Sequence, residues 1–133
     1  MFSGKHVPMI RPRVLLADDH PLLRATIGQY LATDGYEVVG SVENGARMLD
    51  EAIRLEPDVV VVDLYMPGLN GIEACRELTR LLARTRIIVI SAEDDADIKR
   101  VVLAAGAFAF IEKRTVATDL LPALRAACGG ESM

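Results

Sequence analysis

Short apolar runs alternate along this chain with longer stretches whose apolar residues recur every three or four positions. The runs are 13–17, 36–42, 59–62, 86–90 and 108–111, each rich in Val, Ile, Leu, Ala or Phe. Four consecutive valines from Val59 predict a strand covered on both faces, as in a parallel sheet. After the first run, Leu23, Ile27, Tyr30 and Leu31 keep helical spacing. Asp19 or His20 can cap this helix, Pro21 suits its first position and Gly35 stops it at about Asp34. Asn44-Gly45 marks a turn before a helix over about 46–55, and Pro57-Asp58 breaks it. Further helices are predicted over about 71–83 and 95–105, the latter stopped by Gly106. A last helix starts near Thr115 or Thr118, carries Leu120, Leu121, Leu124 and Ala127, and ends at Gly129-Gly130. Pro122 is tolerable there if it falls near the first turn.

Five strand–helix units predict an α/β fold: a doubly wound (βα)5 parallel sheet of the flavodoxin-like (CheY-like) kind, strand order 2-1-3-4-5. The expected layout is a flexible lead-in over 1–12, one domain over 13–128, and a tail or linker start over 129–133.

Composition narrows the class. The 133 residues, 51% hydrophobic and 26% charged, suit one ordinary domain and exclude intrinsic disorder. Cys75 and Cys128 form no CxxC or Cys/His cluster, so neither a disulfide framework nor structural zinc is expected. A net charge of −4 argues against direct nucleic-acid binding by this chain. No apolar run reaches the roughly 20 residues of a membrane span, and no signal core follows the start. A cytoplasmic protein without membrane association is expected.

In open α/β sheets ligands bind beyond the carboxyl ends of the strands. Asp18 and Asp19 follow the first strand, Asp63 the third, Ser91 the fourth and Lys113 the fifth. The predicted strand order brings these ends together around Asp63. Three converging carboxylates repel unless one is protonated or a cation joins them. Oxygen ligands select a hard ion such as Mg2+. Asp19 would ligate it directly, Asp18 through water or a neighbouring contact, and the Tyr65 backbone carbonyl would add a ligand. With Lys113 and Mg2+ the site balances to zero charge and can accept a phosphoryl group. Asp63 is then the attacking carboxylate. Each residue alone has a plainer role. Asp18 or Asp19 could cap the first helix, Asp63 could be a loop carboxylate, and Ser91 could cap the fourth helix. Lys113 could be a solvated charge and Phe110 core. The convergence of four strand ends on one chemistry favours the functional reading.

The segments Val14-Leu15-Leu16-Ala17-Asp18-Asp19-His20, Val61-Val62-Asp63-Leu64-Tyr65-Met66-Pro67-Gly68-Leu69-Asn70-Gly71, Ile90-Ser91-Ala92 and Ala105-Gly106-Ala107, with Phe110-Ile111-Glu112-Lys113, resemble the receiver domain of two-component response regulators. The resemblance covers about 12–128 and is nearest the NarL/FixJ-like (LuxR-type) subgroup. It implies that a sensor histidine kinase phosphorylates Asp63, that Asp18, Asp19, Asp63 and the Tyr65 carbonyl hold Mg2+, and that Lys113 contacts the phosphoryl oxygens. Ser91 and Phe110 match the family's switch pair, and Tyr65 and Glu93 match positions that tune dephosphorylation. Arg114 stands where many members have proline, so no cis peptide is expected after Lys113.

Such a domain is a phosphoacceptor, catalysing only its own phosphorylation and slow dephosphorylation, rather than a conventional enzyme. Its subgroup usually carries a helix-turn-helix DNA-binding domain, for which 133 residues leave no room. The expectation is the receiver part of a transcription regulator. A stand-alone receiver acting by docking, or a phosphorylation-independent interaction module, is the alternative. Dimerisation through the face of the fourth helix, fifth strand and fifth helix, or through the first and fifth helices, is open. A haloacid-dehalogenase-type phosphatase would need an aspartate where Tyr65 stands. A flavin carrier would need a phosphate loop in place of Asp18-Asp19-His20-Pro21.

Overall fold

The computed structural model describes residues 11–68, 70–92 and 96–129. The expected lead-in through residue 10, the tail from residue 130 and Glu93 lie outside them. The elements run β1 (Arg13–Ala17), α1 (Pro21–Thr33), β2 (Glu37–Val42), α2 (Gly45–Leu55), β3 (Val59–Asp63), α3 (Gly71–Leu81), β4 (Arg86–Ser91), α4 (Ala96–Ala104), β5 (Ala109–Glu112) and α5 (Val116–Gly129). The five strands are parallel and ordered β2-β1-β3-β4-β5. Fold class and strand order are those read from the sequence.

Strand periodicity divides the core into two layers. Val60 and Val62 face Met48, Ala52, Cys75, Leu78 and Val102 of α2, α3 and α4. Val59 and Val61 face Ile27, Leu31, Leu120 and Leu124 of α1 and α5. All four valines are buried, as their unbroken run requires. The sheet is pinned at its amino-terminal edge by Arg13. Its guanidinium donates to the carbonyls of Leu55 and Glu56 at 2.7 and 3.2 Å, satisfying the free end of α2.

Several boundaries differ from the expected ones. His20 occupies the N-cap position of α1, but no side chain caps that helix; Asp18 Oδ1 instead accepts the His20 backbone N–H at 2.7 Å. Helix α3 ends at Leu81, because Leu82 has left helical geometry. Phe108 precedes β5, its ring stacked at 5.2 Å under the Arg86 guanidinium. A 3-10 turn (Lys113–Thr115) leads into α5, so Pro122 lies in the second turn rather than the first. Pro122 and Thr118, whose carbonyl loses its donor, are both exposed, so water can replace the missing bond. Among the described residues no peptide bond is cis and no helix is long and apolar enough to cross a membrane.

Candidate functional site

The carboxyl ends of β1, β3 and β5 carry the polar cluster. β1 runs straight into Asp18, whose backbone N–H bonds the Val42 carbonyl at 3.0 Å. That bond holds the residue after β1 against the end of β2. The Arg24 guanidinium, from the first turns of α1, donates to the Asp18 carbonyl at 2.6 Å. Asp63 ends β3 and pairs in register with Ile90. The loop beyond is tied back: the Leu64 N–H bonds the Ile90 carbonyl at 2.8 Å, and Asn70 caps α3 through the Glu73 N–H.

Both Asp63 oxygens are engaged. Oδ1 accepts the Tyr65 N–H at 3.0 Å, and Oδ2 accepts from Lys113 Nζ at 2.8 Å. The Asp18 and Asp63 side chains are each only 2% exposed. Lys113 is mostly covered, not a solvated surface charge, and also approaches Asp18 Oδ2 to 3.7 Å. Ligand atoms of Asp18, Asp19, His20 and Asp63 lie within 4.8 Å of one another. Asp18 Oδ2 and Asp19 Oδ1 are buried with no hydrogen-bond partner. Two orphaned carboxylate oxygens in one pocket are costly without a cation, so the donor set fits a small, oxygen-preferring divalent ion.

The expected residues arrive unequally. Asp18, Asp19, Asp63 and Lys113 form one cluster. Ser91 ends β4 fully buried, one register step beyond the partner of Asp63. Phe110, in β5, is half-buried against the core layer of α2–α4. It also lines a cleft of about 370 Å³ with Lys99, Glu112, Thr115 and Asp119. The Tyr65 side chain is 53% exposed and borders a groove with Ile72 and Ile98. Sequence reasoning missed His20 and Arg24 as site residues. His20 had a visible signal, its adjacency to two aspartates at a strand end. Its Nδ1 lies 3.0 Å from Asp18 Oδ1, 3.2 Å from Asp19 Oδ1 and 2.8 Å from Lys113 Nζ.

Comparison with known proteins bears on this arrangement. The family model of the response regulator receiver domain matches residues 14–125. The transcriptional regulatory protein LiaR of Bacillus subtilis (strain 168) is 38% identical over 120 residues, covering 90% of this chain and 57% of LiaR. The chain spans little more than half the length of the first curated relatives it matches. The receiver domain of the response regulator NarL from Mycobacterium tuberculosis superposes with a TM-score of 0.84 at 32% identity, covering 92% of this chain and all of that one. The isolated receiver domain of RcsB from Salmonella enterica serovar Typhimurium, solved in the presence of phosphomimetic BeF3-, gives 0.84 at 28% identity, covering 92% of each chain.

Proposed function

This chain belongs to the response regulator receiver domain family, and on that premise we propose that it is a phosphoacceptor switch in which Asp63 takes a phosphoryl group from a phosphohistidine of a sensor kinase. The observation that carries this is the convergence in one pocket of Asp63, Lys113 and two buried carboxylate oxygens, of Asp18 and Asp19, that accept no hydrogen bond. Lys113 and the Tyr65 N–H hold the Asp63 carboxylate by its two oxygens and so fix its plane. An Asp63 oxygen attacks phosphorus as the P–N bond to the kinase histidine breaks; the bond pair stays on the ring nitrogen, the other ring nitrogen carries a proton, so the histidine leaves as neutral imidazole and a mixed anhydride forms. The Lys113 ammonium moves with the charge from carboxylate to phosphoryl oxygen. Mg2+, held by Asp18, Asp19, Asp63 and the Tyr65 carbonyl, would neutralise charge on the transferring group.

Phosphorylation replaces one charge on Asp63 with about −2 and adds strong acceptors. Ser91, at the neighbouring strand end, is the hydroxyl that answers this change. Phe110 sits between the core and the cleft by α4 and α5, so a shift of the β4–α4 loop alters the face on which it lies. Tyr65 and Glu93 tune hydrolysis of the acyl phosphate. The domain covers 13–128, and its output is transcriptional control through a DNA-binding domain in the natural protein, with dimerisation as the intermediate step.

Incubation with acetyl phosphate and Mg2+ followed by intact mass tests the acceptor assignment. One added phosphoryl group, absent in Asp63→Asn, is expected. No adduct on the wild-type protein, with acetyl phosphate or with a competent kinase, overturns it.

A further inference from the structure

Asp18 is tied down at its N–H, its carbonyl and one carboxylate oxygen. The N–H donates to the Val42 carbonyl at 3.0 Å, the carbonyl accepts from Arg24 Nη1 at 2.6 Å, and Oδ1 accepts the His20 N–H at 2.7 Å. Oδ2 is buried without a hydrogen-bond partner. The first two bonds act on the two peptide planes that flank the Asp18 Cα. The N–H belongs to the Ala17–Asp18 peptide and the carbonyl to the Asp18–Asp19 peptide, so together they fix the torsions of Asp18. The second plane also carries the Asp19 nitrogen and sets the direction in which the chain leaves for Asp19. Val42 and His20 act through main-chain groups; Arg24 acts through its side chain. Its own N–H donates to the His20 carbonyl at 2.9 Å in the first turn of α1, so the guanidinium is anchored on a rigid element. It reaches a carbonyl rather than a carboxylate, and so takes up no oxygen that a cation would use. A charged donor in this half-buried setting makes a stronger bond than a neutral one.

We propose that Arg24 is a positioning residue: by holding the Asp18–Asp19 peptide plane to α1, it keeps the two carboxylates of this loop aimed at the pocket before any cation arrives. The inference rests on the acceptor-site reading above and deepens it. Without the guanidinium the Asp18 carbonyl is left to water and the plane is free to rotate. Repulsion among the clustered carboxylates then drives the loop outward. A cation would have to gather the loop again on binding, and its affinity falls accordingly. Groups that orient ligands without touching the ion change metal affinity about 10–100-fold when removed. The contact is a single bond from Nη1, not a two-pronged grip, so a lysine can supply the donor and the charge. Methionine keeps the unbranched stem and supplies neither.

The test compares full chains of wild type, Arg24→Met, Arg24→Lys and Leu31→Val. Leu31 is a buried residue of the same helix, and its truncation loosens α1 without touching Asp18. Titration with MgCl2 by calorimetry is expected to show affinity about tenfold weaker in Arg24→Met, mostly recovered in Arg24→Lys and unchanged in Leu31→Val. In EDTA, the 13C resonance of the Asp18 carbonyl is expected to move upfield in Arg24→Met and to stay in place in Leu31→Val. Wild-type Mg2+ affinity or an unmoved carbonyl resonance in Arg24→Met, no recovery in Arg24→Lys, or an equal loss of affinity in Leu31→Val overturns the role of Arg24 and leaves the acceptor site standing. Failure of wild type to bind Mg2+ overturns both.

Discussion

The crowding of carboxylates makes Asp19→Asn the most informative single change to the pocket. Asp19 shares the cluster with Asp18 and Asp63. At its outer spacing of 4.8 Å, two unit charges repel by about 3.5 kcal/mol at an effective dielectric of about 20. Asp19 meets two such neighbours, but its side chain is 31% exposed and Lys113 offsets part of their charge. Solvent screening and that offset reduce the net repulsion to about 1–2 kcal/mol. Asparagine keeps the shape and removes the charge. In EDTA, Asp19→Asn is therefore expected to be more stable than wild type by about 1–2 kcal/mol, a rise in Tm of about 4–7 °C for a domain of this size. Mg2+ at ten times its Kd should stabilise wild type by about 1.4 kcal/mol and the variant far less. Thermal and urea unfolding with and without Mg2+ would show the difference between the two proteins close as the ion is added. A variant no more stable than wild type in EDTA, or equally stabilised by Mg2+, would refute the view that these carboxylates are held together in anticipation of a cation.

Three further outcomes follow from particular residues. Burial pushes the thiols of Cys75 and Cys128 up to about 11. The unfolded chain ionises them from about 9.0 while the native state keeps them neutral, so their contribution to stability is intact below pH 9 and is lost as pH rises toward 11. The slope should approach about 1.4 kcal/mol per pH unit per thiol, and urea unfolding of the Cys75→Ala, Cys128→Ala double variant should lack it. Gly106 has φ +122° and a Cβ there would overlap Thr79, so Gly106→Ala should cost about 2 kcal/mol or more in denaturant unfolding, with Thr79→Ala recovering only the overlap. Tyr65→Ala should speed hydrolysis of the phosphorylated protein if the ring shields the acyl phosphate; an unchanged or slower decay, followed by mass, would sink that role.

How much of this could be read from the chain depends on what each feature rests on. Burial on both faces writes itself into composition, so Val59 to Val62 announced a central strand, and the strand order placed Asp18, Asp19, Asp63 and Lys113 at one end of the sheet. Terminal turns depend on local hydrogen bonds that leave a weaker mark. The 3-10 turn after β5 displaced the start of α5 and moved Pro122 out of the first turn. His20 escaped notice because its part depends on where its ring turns, and the same histidine facing outward would read identically in sequence. Phe110 was named as a switch residue from resemblance, whereas its position between core and cleft comes from the packing of α4 and α5.

The central claim is that Asp63, and no other carboxylate of the pocket, carries the phosphoryl group. Borohydride reduces an aspartyl phosphate to homoserine and leaves free carboxylates alone. The protein would be phosphorylated with acetyl phosphate and Mg2+, reduced, digested and mapped by peptide mass spectrometry. Homoserine at position 63, dependent on Mg2+ and absent at 18 and 19, is the predicted result. Homoserine at Asp18 or Asp19, or none anywhere in protein that had gained the phosphoryl mass, would contradict the account.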